Sequence, residues 1–257
     1  MRLIVGGDSF IGSRLYQSWR QQGVPCQGST RRLGLVCDER PLIDLENLIW
    51  PKNLSIYTFA VICAGINDIF ECETRPTETR QINVTNTTIL AQALAKRGCR
   101  ICCLSSSQVF DGTKSFRKRD DDVHPITEYG RQKVSMEKNI LAIDRGTIIR
   151  LTKVENENGK LLKKWKAELD RGKPIQPFYD MYISPISVDN VVGKISDIAD
   201  SESFSRLRHF GGEREISWAE YARILCRRWG CDERLIHPVS HLRDGKILPI
   251  HSSLASE

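Results

Sequence analysis

The N-terminal segment joins a short apolar strand to an amphipathic helix through a glycine-rich turn. Met1-Arg2-Leu3-Ile4-Val5 leads into Gly6-Gly7-Asp8-Ser9-Phe10-Ile11-Gly12, and apolar residues then recur at helical spacing up to Gln22. Glycines let such a turn bring backbone N–H groups against a pyrophosphate and let the helix pack closely on the strand. The segment therefore predicts the first β-α unit of a dinucleotide-binding sheet, although a tight turn without a ligand shares the pattern.

Short apolar runs alternate with longer amphipathic segments through the first 150 residues. We expect strands at 2–5, 24–29, 57–63, 99–104 and 147–151, and helices at 11–22, 77–96 and 128–143. This alternation predicts an α/β protein with a Rossmann-type, doubly wound parallel sheet. After residue 151 the pattern is mixed, with helices expected at 158–171, 188–199 and 217–229. We therefore expect a dinucleotide-binding domain over 1–150 and a small C-terminal substrate-binding region over 151–257 that partly returns to the core.

Composition is that of a globular protein, with 40% apolar and 27% charged residues among 257. No apolar run approaches the about 20 residues of a membrane-spanning helix, and no secretory pattern precedes the first strand. A cytoplasmic location without a membrane partner is therefore expected. The net charge of +6 is spread along the chain, which argues against nucleic acid and suits anionic small ligands. The nine cysteines lack metal-ligand spacing, so no metal site is expected.

The end of the second expected strand bears on the choice of cofactor. An acidic residue there hydrogen-bonds the ribose 2′-OH of NAD, whereas an arginine accommodates the 2′-phosphate of NADP. The chain reads Ser29-Thr30-Arg31-Arg32, with no acidic residue before Asp38. We therefore predict NADP(H) as the preferred cofactor and NAD(H) as the alternative. Thr30, Arg31 and Arg32 are the residues expected to contact it.

Tyr129 and Lys133 are four residues apart, downstream of the hydroxyl cluster Ser105-Ser106-Ser107. On a helix this spacing puts both side chains on one face. An ammonium beside a phenol favours the phenolate, which brings the phenol into proton-transfer range near neutral pH. Because such pairs often arise by chance on ordinary helices, this one gains its weight from the glycine turn and the serine cluster.

Together these segments resemble the extended short-chain dehydrogenase/reductase superfamily. Within it, the chain looks most like the dTDP-4-dehydrorhamnose reductases and the NAD-dependent epimerase-dehydratase family. The resemblance is carried by the glycine turn, Cys63-Ala64-Gly65, Ile82-Asn83-Val84, Ser105-Ser106-Ser107-Gln108-Val109-Phe110-Asp111-Gly112 and Tyr129-Gly130-Arg131-Gln132-Lys133. The Val-Phe-Asp-Gly ending is similar to the reductase branch. Ser9 departs from the pattern, because it stands where the family usually has its middle glycine.

The resemblance implies a role for each matching residue. Tyr129 would donate a proton to a substrate carbonyl that Ser106 polarises, while Lys133 would lower the Tyr129 pKa and bind the nicotinamide ribose. Further implied cofactor contacts are Gly6, Ser9, Phe10, Ile11, Gly12, Asp44, Leu45, Cys63, Ala64, Gly65 and Asn83. Of these, Asp44 and Leu45 would lie near the adenine, and Asn83 would be a structural or relay residue. The family also implies a homodimer.

The activity that the resemblance implies is NADP(H)-dependent reduction of a keto group on a nucleotide-linked sugar. Two alternatives stay open: an epimerase with tightly bound NAD, and a non-catalytic nucleotide-binding regulatory subunit. A dehydratase is disfavoured, because Ser107 and Gln108 occupy the positions where dehydratases of this family carry an Asp-Glu pair. Candidate cations for a substrate diphosphate are Arg117, Lys118, Arg150, Lys153 and Arg214.

Overall fold

The computed structural model of the protein describes residues 1–201, 205–244 and 248–256. Residues 202–204, 245–247 and 257, which belong to the C-terminal region expected over 151–257, lie outside the described ranges. Strands in the described ranges are β1 (Arg2–Val5), β2 (Cys26–Gly28), β3 (Phe59–Ile62), β4 (Arg100–Ser106), β5 (Gly146–Leu151), β6 (Tyr182–Ile183), β7 (Leu207–Phe210) and β8 (Ile216–Ser217).

Six of these strands form a parallel sheet in the order β2-β1-β3-β4-β5-β7. The other two, β6 and β8, form a small antiparallel pair in the C-terminal region. This is the Rossmann-type α/β architecture that the sequence predicted, with β7 as a strand that the sequence pattern did not reveal. Because all six strands run in one direction, the residues that follow β1, β3, β4 and β5 meet at one edge of the sheet, where open α/β sheets bind ligands.

The helices are α1 (Phe10–Gln21), α2 (Ile69–Thr74), α3 (Pro76–Arg80), α4 (Thr87–Ala95), α5 (Glu128–Leu141), α6 (Lys160–Asp170), α7 (Val188–Asp200) and α8 (Trp218–Trp229). A π-helical stretch at Gln81–Asn86 connects α3 to α4, so the long helix expected over 77–96 consists of three segments, of which the middle one is π-helical and the other two are α-helical. Hydroxyl side chains begin several helices by accepting a hydrogen bond from the N–H three residues on, which satisfies one otherwise unpaired donor. These caps are Ser9, Thr127, Ser187 and Ser217.

The sheet is buried on both faces, because successive strand residues point to opposite sides. Leu3 and Ile101 face α4 and α5, with Leu90 and Met136 in the same cluster. Residues one position along, such as Ile4 and Cys102, face α1 and α7 with Leu15, Trp19 and Ile195. A third cluster belongs to the C-terminal region and unites α6 with α8. The doubly covered sheet therefore holds the carboxyl edge of its strands fixed, and the candidate site lies there.

Candidate active site

The glycine turn after β1 has the geometry that a dinucleotide cradle needs. Gly6 has φ +84°, in the left-handed region that favours glycine, and a Cβ there would stand 2.8 Å from the Ala64 nitrogen. The turn therefore passes directly against the residues that follow β3. Ser9, at the position where a glycine was expected, takes extended backbone angles and caps α1 by accepting from the Gly12 N–H at 3.1 Å. The serine thus fits the turn and begins the helix.

Two backbone donors at the start of α1 stay available for an anion. Among the residues that the structure describes, no acceptor bonds the N–H groups of Phe10 and Ile11. The partial positive charge of the helix N-terminus adds to these donors. The turn therefore fits the pyrophosphate of a dinucleotide, in agreement with the sequence-based prediction, although the role of each residue stays a prediction.

A cavity of about 320 Å³ opens beside this turn, between the ends of β1, β2 and β3. Its lining contains many of the predicted cofactor residues together with several that were not predicted. The lining residues are Gly6, Asp8, Ser9, Ser29, Thr30, Arg31, Arg32, Ile43, Asp44, Leu45, Glu46, Ala64, Gly65, Ile66 and Ile82. Phe10, Ile11, Gly12, Cys63, Asn83 and Lys133 lie outside this lining.

An acidic side chain from outside β2 lies beside the end of this strand. Asp8, from the glycine turn, accepts a hydrogen bond from the Thr30 hydroxyl at 2.5 Å and forms an ion pair with Arg40. Arg32 lies farther off, with its Nε 4.0 Å from the Asp8 carboxylate. Sequence reasoning missed Asp8 and Arg40, because neither belongs to β2 and their pairing joins residues 32 positions apart.

Asp44 and Leu45, expected near an adenine, line this cavity. Burial raises the pKa of Asp44, but hydrogen bonds from Asn47 and the Glu46 backbone outweigh it, so the pKa lies below the usual value. Leu45 is buried, and its carbonyl accepts a hydrogen bond from Asn86 at 2.6 Å. This wall of the cavity is therefore held in place by the π-helical stretch.

Asn83 fixes the loop that follows β3. Its Oδ1 accepts from the Ile66 N–H at 2.8 Å, and its Nδ2 donates to the Ile66 carbonyl at 2.8 Å and to Gln132 at 2.9 Å. Because Gln132 lies on α5 beside Lys133, Asn83 links the cofactor cavity to the helix that carries the tyrosine pair. These bonds give Asn83 a structural part in the loop, and its role toward a cofactor, structural or relay, stays a prediction. Cys63, just before this loop, is half-buried, and burial raises its pKa to about 12.

Tyr129 and Lys133 lie on one face of α5, as their spacing predicted. Lys133 Nζ donates to the Leu104 carbonyl on β4 at 2.9 Å and stands 5.6 Å from the centroid of the Tyr129 ring. The lysine is therefore tethered to the strand that ends at Ser106 while its charge stays beside the phenol. Tyr129 itself is buried.

Gly130 lets the beginning of α5 approach the segment after β4. A Cβ at this position would stand 2.2 Å from the Gln108 carbonyl oxygen and 2.8 Å from the Pro125 side chain. Any larger residue would therefore force α5 away from the Ser106–Gln108 segment. The sequence contains this signal only as a glycine inside a helix, where glycine costs about 0.5–1 kcal/mol relative to alanine.

Ser106 is the last residue of β4 and begins a short 3₁₀ turn at 107–109. Its Oγ accepts from the Gln108 N–H at 3.2 Å. Because this bond uses an oxygen lone pair, the hydroxyl hydrogen can be donated to another group. Ser107 is buried, whereas Ser106 is half-buried. Ser106 is thus the more accessible of the two, consistent with its predicted role.

A buried polar network lies on the inner side of these residues. Ser105 donates to Glu137 at 2.5 Å, Glu137 pairs with Arg150 at 2.8 Å, and Arg150 contacts His209 at 3.3 Å. Burial, reinforced by the Arg150 charge, lowers the His209 pKa to about 4. The expectation that Arg150 binds a substrate diphosphate is therefore wrong, because its guanidinium is buried and committed to Glu137.

The other candidate cations for a diphosphate differ in how far they are committed. Arg117 pairs with Asp111 at 2.5 Å, and Arg214 lies 3.9 Å from Glu220. Lys153, two residues beyond β5, has no acidic partner among the described residues, and its Nζ stands 5.5 Å from the centroid of Trp218. Burial lowers the Lys153 pKa. Among these candidates for a diphosphate, Lys153 is thus the half-buried cation whose charge is not neutralised by a described neighbour.

Known protein families include one whose sequence pattern spans nearly all of this chain. Residues 1–253 match the family described as RmlD substrate binding domain. The chain belongs to this family. The dTDP-4-dehydrorhamnose reductase of Sinorhizobium fredii is 30% identical over 216 residues, which cover 75% of this chain and 73% of that protein. The resemblance inferred from the glycine, serine and tyrosine motifs is confirmed.

Two further relatives of this chain have names that state different functions. The probable low-salt glycan biosynthesis reductase Agl14 of Haloferax volcanii is 24% identical over 245 residues, covering 91% of this chain and 81% of that protein. Methionine adenosyltransferase 2 subunit beta of Bos taurus is 28% identical over 153 residues, covering 57% of this chain and 44% of that protein. Proteins named as a reductase and as a subunit of a transferase therefore both resemble this chain.

The fold agrees with that of a solved structure. The crystal structure of dTDP-4-dehydrorhamnose reductase from Bacillus anthracis str. Ames, in complex with NADP, superposes with a TM-score of 0.86 at 17% identity. The superposition covers 100% of this chain and 89% of that chain. At this identity the likeness bears on the fold, and it confirms the Rossmann-type prediction.

Membrane-spanning helices and clusters of metal ligands are both absent from the described part of the chain. Its helices include none with the length and apolarity that crossing a bilayer requires. The same residues contain no group of three or more His, Cys, Asp or Glu side chains suited to holding a metal ion.

Proposed function

We propose that this protein reduces a keto group on a nucleotide-linked sugar, with NADP(H) as cofactor. When bound, the nicotinamide cofactor supplies the hydride. Tyr129 donates the proton to the carbonyl oxygen, Ser106 polarises the same carbonyl through its free hydroxyl hydrogen, and Lys133 keeps a positive charge beside the phenol. The relatives named dTDP-4-dehydrorhamnose reductase make a dTDP-linked 4-keto-6-deoxyhexose the first substrate to test.

One observation carries this proposal: the contact of α5 with the end of β4. Lys133 is bonded to Leu104 on that strand, and Gly130 allows the helix to pass within contact of the Gln108 carbonyl. This packing places the segments that hold Tyr129 and Ser106 side by side at the carboxyl edge of the sheet. A proton donor and a carbonyl-polarising hydroxyl supported in this way suit ketone reduction.

The substrate would lie between the sheet edge and the C-terminal region. Lys153, with its uncommitted ammonium above Trp218, supports a substrate diphosphate on that side. We propose that the substrate region consists of the residues after 151 other than α7 and β7, because α7 packs on the sheet and β7 completes it. These two elements would then belong to the dinucleotide-binding unit.

A non-catalytic regulatory role is the second candidate, favoured by the similarity to methionine adenosyltransferase 2 subunit beta. That similarity covers 57% of this chain, whereas the reductases match over larger shares of it. A regulatory subunit would bind a dinucleotide without consuming it. The presence of Ser106, Tyr129 and Lys133 together supports the catalytic alternative.

The decisive experiment measures NADPH oxidation with a panel of 4-keto nucleotide sugars, for the wild type and the variant Tyr129→Phe. We expect turnover by the wild type and a loss of about 10² to 10⁴-fold in kcat for the variant, because positioned proton transfer contributes that much. NADPH binding, followed by fluorescence, should be retained. Tyr179→Phe, at an exposed position, is the matched control. Bound NADPH that no substrate oxidises would favour the regulatory role, and full activity of Tyr129→Phe would refute the assigned proton donor.

A further inference from the structure

Asp8 occupies an unusual place for a carboxylate in a pocket built for a dinucleotide. It belongs to the glycine turn, yet its side chain borders the same cavity as Thr30, Arg31 and Arg32 at the end of β2. The Asp8 side chain is 22% exposed, so the cavity can reach it without full burial of the charge. The sequence around β2 contains no acidic residue there, so the turn supplies the one that the strand lacks.

The contacts of Asp8 reach the groups on which a 2′-phosphate would depend. One carboxylate oxygen accepts from the Thr30 hydroxyl at 2.5 Å, and the other binds the guanidinium of Arg40. The Thr30 hydroxyl oxygen in turn accepts from the Arg32 N–H at 3.1 Å. Asp8 therefore holds both the hydroxyl at the end of β2 and a nearby cation.

The three arginines of this corner are consequently not equivalent. Arg40 is paired with Asp8, and Arg32 stands 4.0 Å from the same carboxylate. Arg31 is exposed and forms no hydrogen bond or ion pair among the described residues. A phosphate beside Thr30 would meet Arg31 and the exposed, weakly paired Arg32 as cations, and Asp8 as a like charge, which is unfavourable. A ribose hydroxyl in the same place would meet a carboxylate with lone pairs to spare.

We propose that Asp8 sets the cofactor preference of this protein. Asp8 neutralises Arg40 and accepts a hydrogen bond from the adenosine ribose. NAD(H) therefore binds in competition with NADP(H). The inference rests on the proposed function only in requiring a dinucleotide in this cavity. It assigns to a residue of the glycine turn the role that the end of the second strand usually has.

The test compares the dissociation constants of NADPH and NADH, measured by fluorescence without any sugar substrate. In Asp8→Asn the repulsion is removed and Arg40 is released, so the preference for NADPH over NADH should rise about 10- to 100-fold, the range expected for a contact between charged groups. In Arg40→Gln the carboxylate loses its partner, and the preference should move toward NADH. Asp200→Asn, which breaks a pair with Arg2 remote from the cavity, should leave the ratio unchanged.

The ratio of two affinities within one variant is insensitive to a general loss of folded protein. An unchanged ratio in Asp8→Asn, or a shift toward NADH, overturns the role of Asp8 while leaving the proposed reductase intact. Opposite shifts in Asp8→Asn and Arg40→Gln establish it. A wild-type protein that binds neither NADPH nor NADH overturns both the proposed function and this inference.

Discussion

The close contact between α5 and the segment after β4 makes Gly130→Ala the most informative substitution in this site. The added methyl group would stand 2.2 Å from the Gln108 carbonyl oxygen, whereas ordinary contact begins at 3.4 Å. The oxygen belongs to the backbone and cannot rotate away as a flexible side chain would. The start of α5, with Tyr129, must therefore retreat from the Ser106–Gln108 segment by about 1 Å.

Activity should suffer more from this displacement than stability. Overpacking costs about 1–3 kcal/mol, but alanine in place of a helical glycine returns about 0.5–1 kcal/mol, so the net loss of stability lies between about 0 and 2.5 kcal/mol. A displacement of about 1 Å in a catalytic group can reduce the rate about 10²-fold. We therefore expect a folded protein with a strongly reduced kcat, a loss that corresponds to about 3 kcal/mol in transition-state stabilisation.

The assay measures kcat and KM for NADPH-dependent reduction, together with the thermal unfolding midpoint. Gly193→Ala is the matched control, because this helical glycine on α7 has open space where its Cβ would be. It should leave kcat unchanged and should not lower the unfolding midpoint. If Gly130→Ala keeps the wild-type kcat, the separation of α5 from β4 does not govern catalysis and the reasoning fails. A fall in the unfolding midpoint that accounts for the whole loss of activity would refute it equally.

Two further predictions concern charged groups. Lys153→Met should weaken the binding of dTDP by about tenfold, the loss expected for one charge-assisted hydrogen bond, and should leave NADPH binding unaffected. Lys164→Met, at an exposed position, is the control. Equal affinities of the wild type and Lys153→Met for dTDP in calorimetry would exclude Lys153 from the diphosphate site. Burial and the Arg150 charge lower the His209 pKa to about 4 from 6.5. Between these two pH values the His209 imidazole is therefore protonated in the unfolded chain and neutral in the folded chain. The free energy of unfolding should therefore fall by about 3 kcal/mol as pH drops from 6.5 to 4. Urea unfolding of His209→Gln should show a weaker dependence of this free energy on pH. His124→Gln, at an exposed position, should keep the wild-type dependence. The same pH dependence in both variants would contradict its assignment to His209.

The features that the sequence predicted well are those with local signals. The glycine turn follows its strand directly, and the Tyr129–Lys133 spacing fits one helical face, so neither required knowledge of distant contacts. The alternation of strands and helices likewise identified the sheet. The strand β7 was missed because its four residues follow a region of mixed pattern and carry no alternation long enough to detect.

What the sequence could not provide are the partners of charged side chains. Arg150 follows an apolar strand and was expected to face a ligand, but position along a strand does not say which face the side chain takes. In the sheet Arg150 pairs in register with Ser105, and both side chains reach Glu137 on α5. The Asp8–Arg40 pair could not be predicted from the sequence either, because the two residues approach each other only when β1 and β2 lie side by side.

The network of Ser105, Glu137 and Arg150 gives the site a second support, independent of Gly130. The side chains of Glu137 and Arg150 are each 5% exposed, and removing one partner of such a buried pair typically costs about 3–5 kcal/mol. Glu137 lies one helical turn beyond Lys133, and Ser105 immediately precedes Ser106. The pair therefore binds α5 to β4 and β5 from the interior, whereas the Gly130 contact sets their separation at the outer end. A helix held at two points resists pivoting, so the face that carries Tyr129 and Lys133 keeps a fixed position relative to the end of β4.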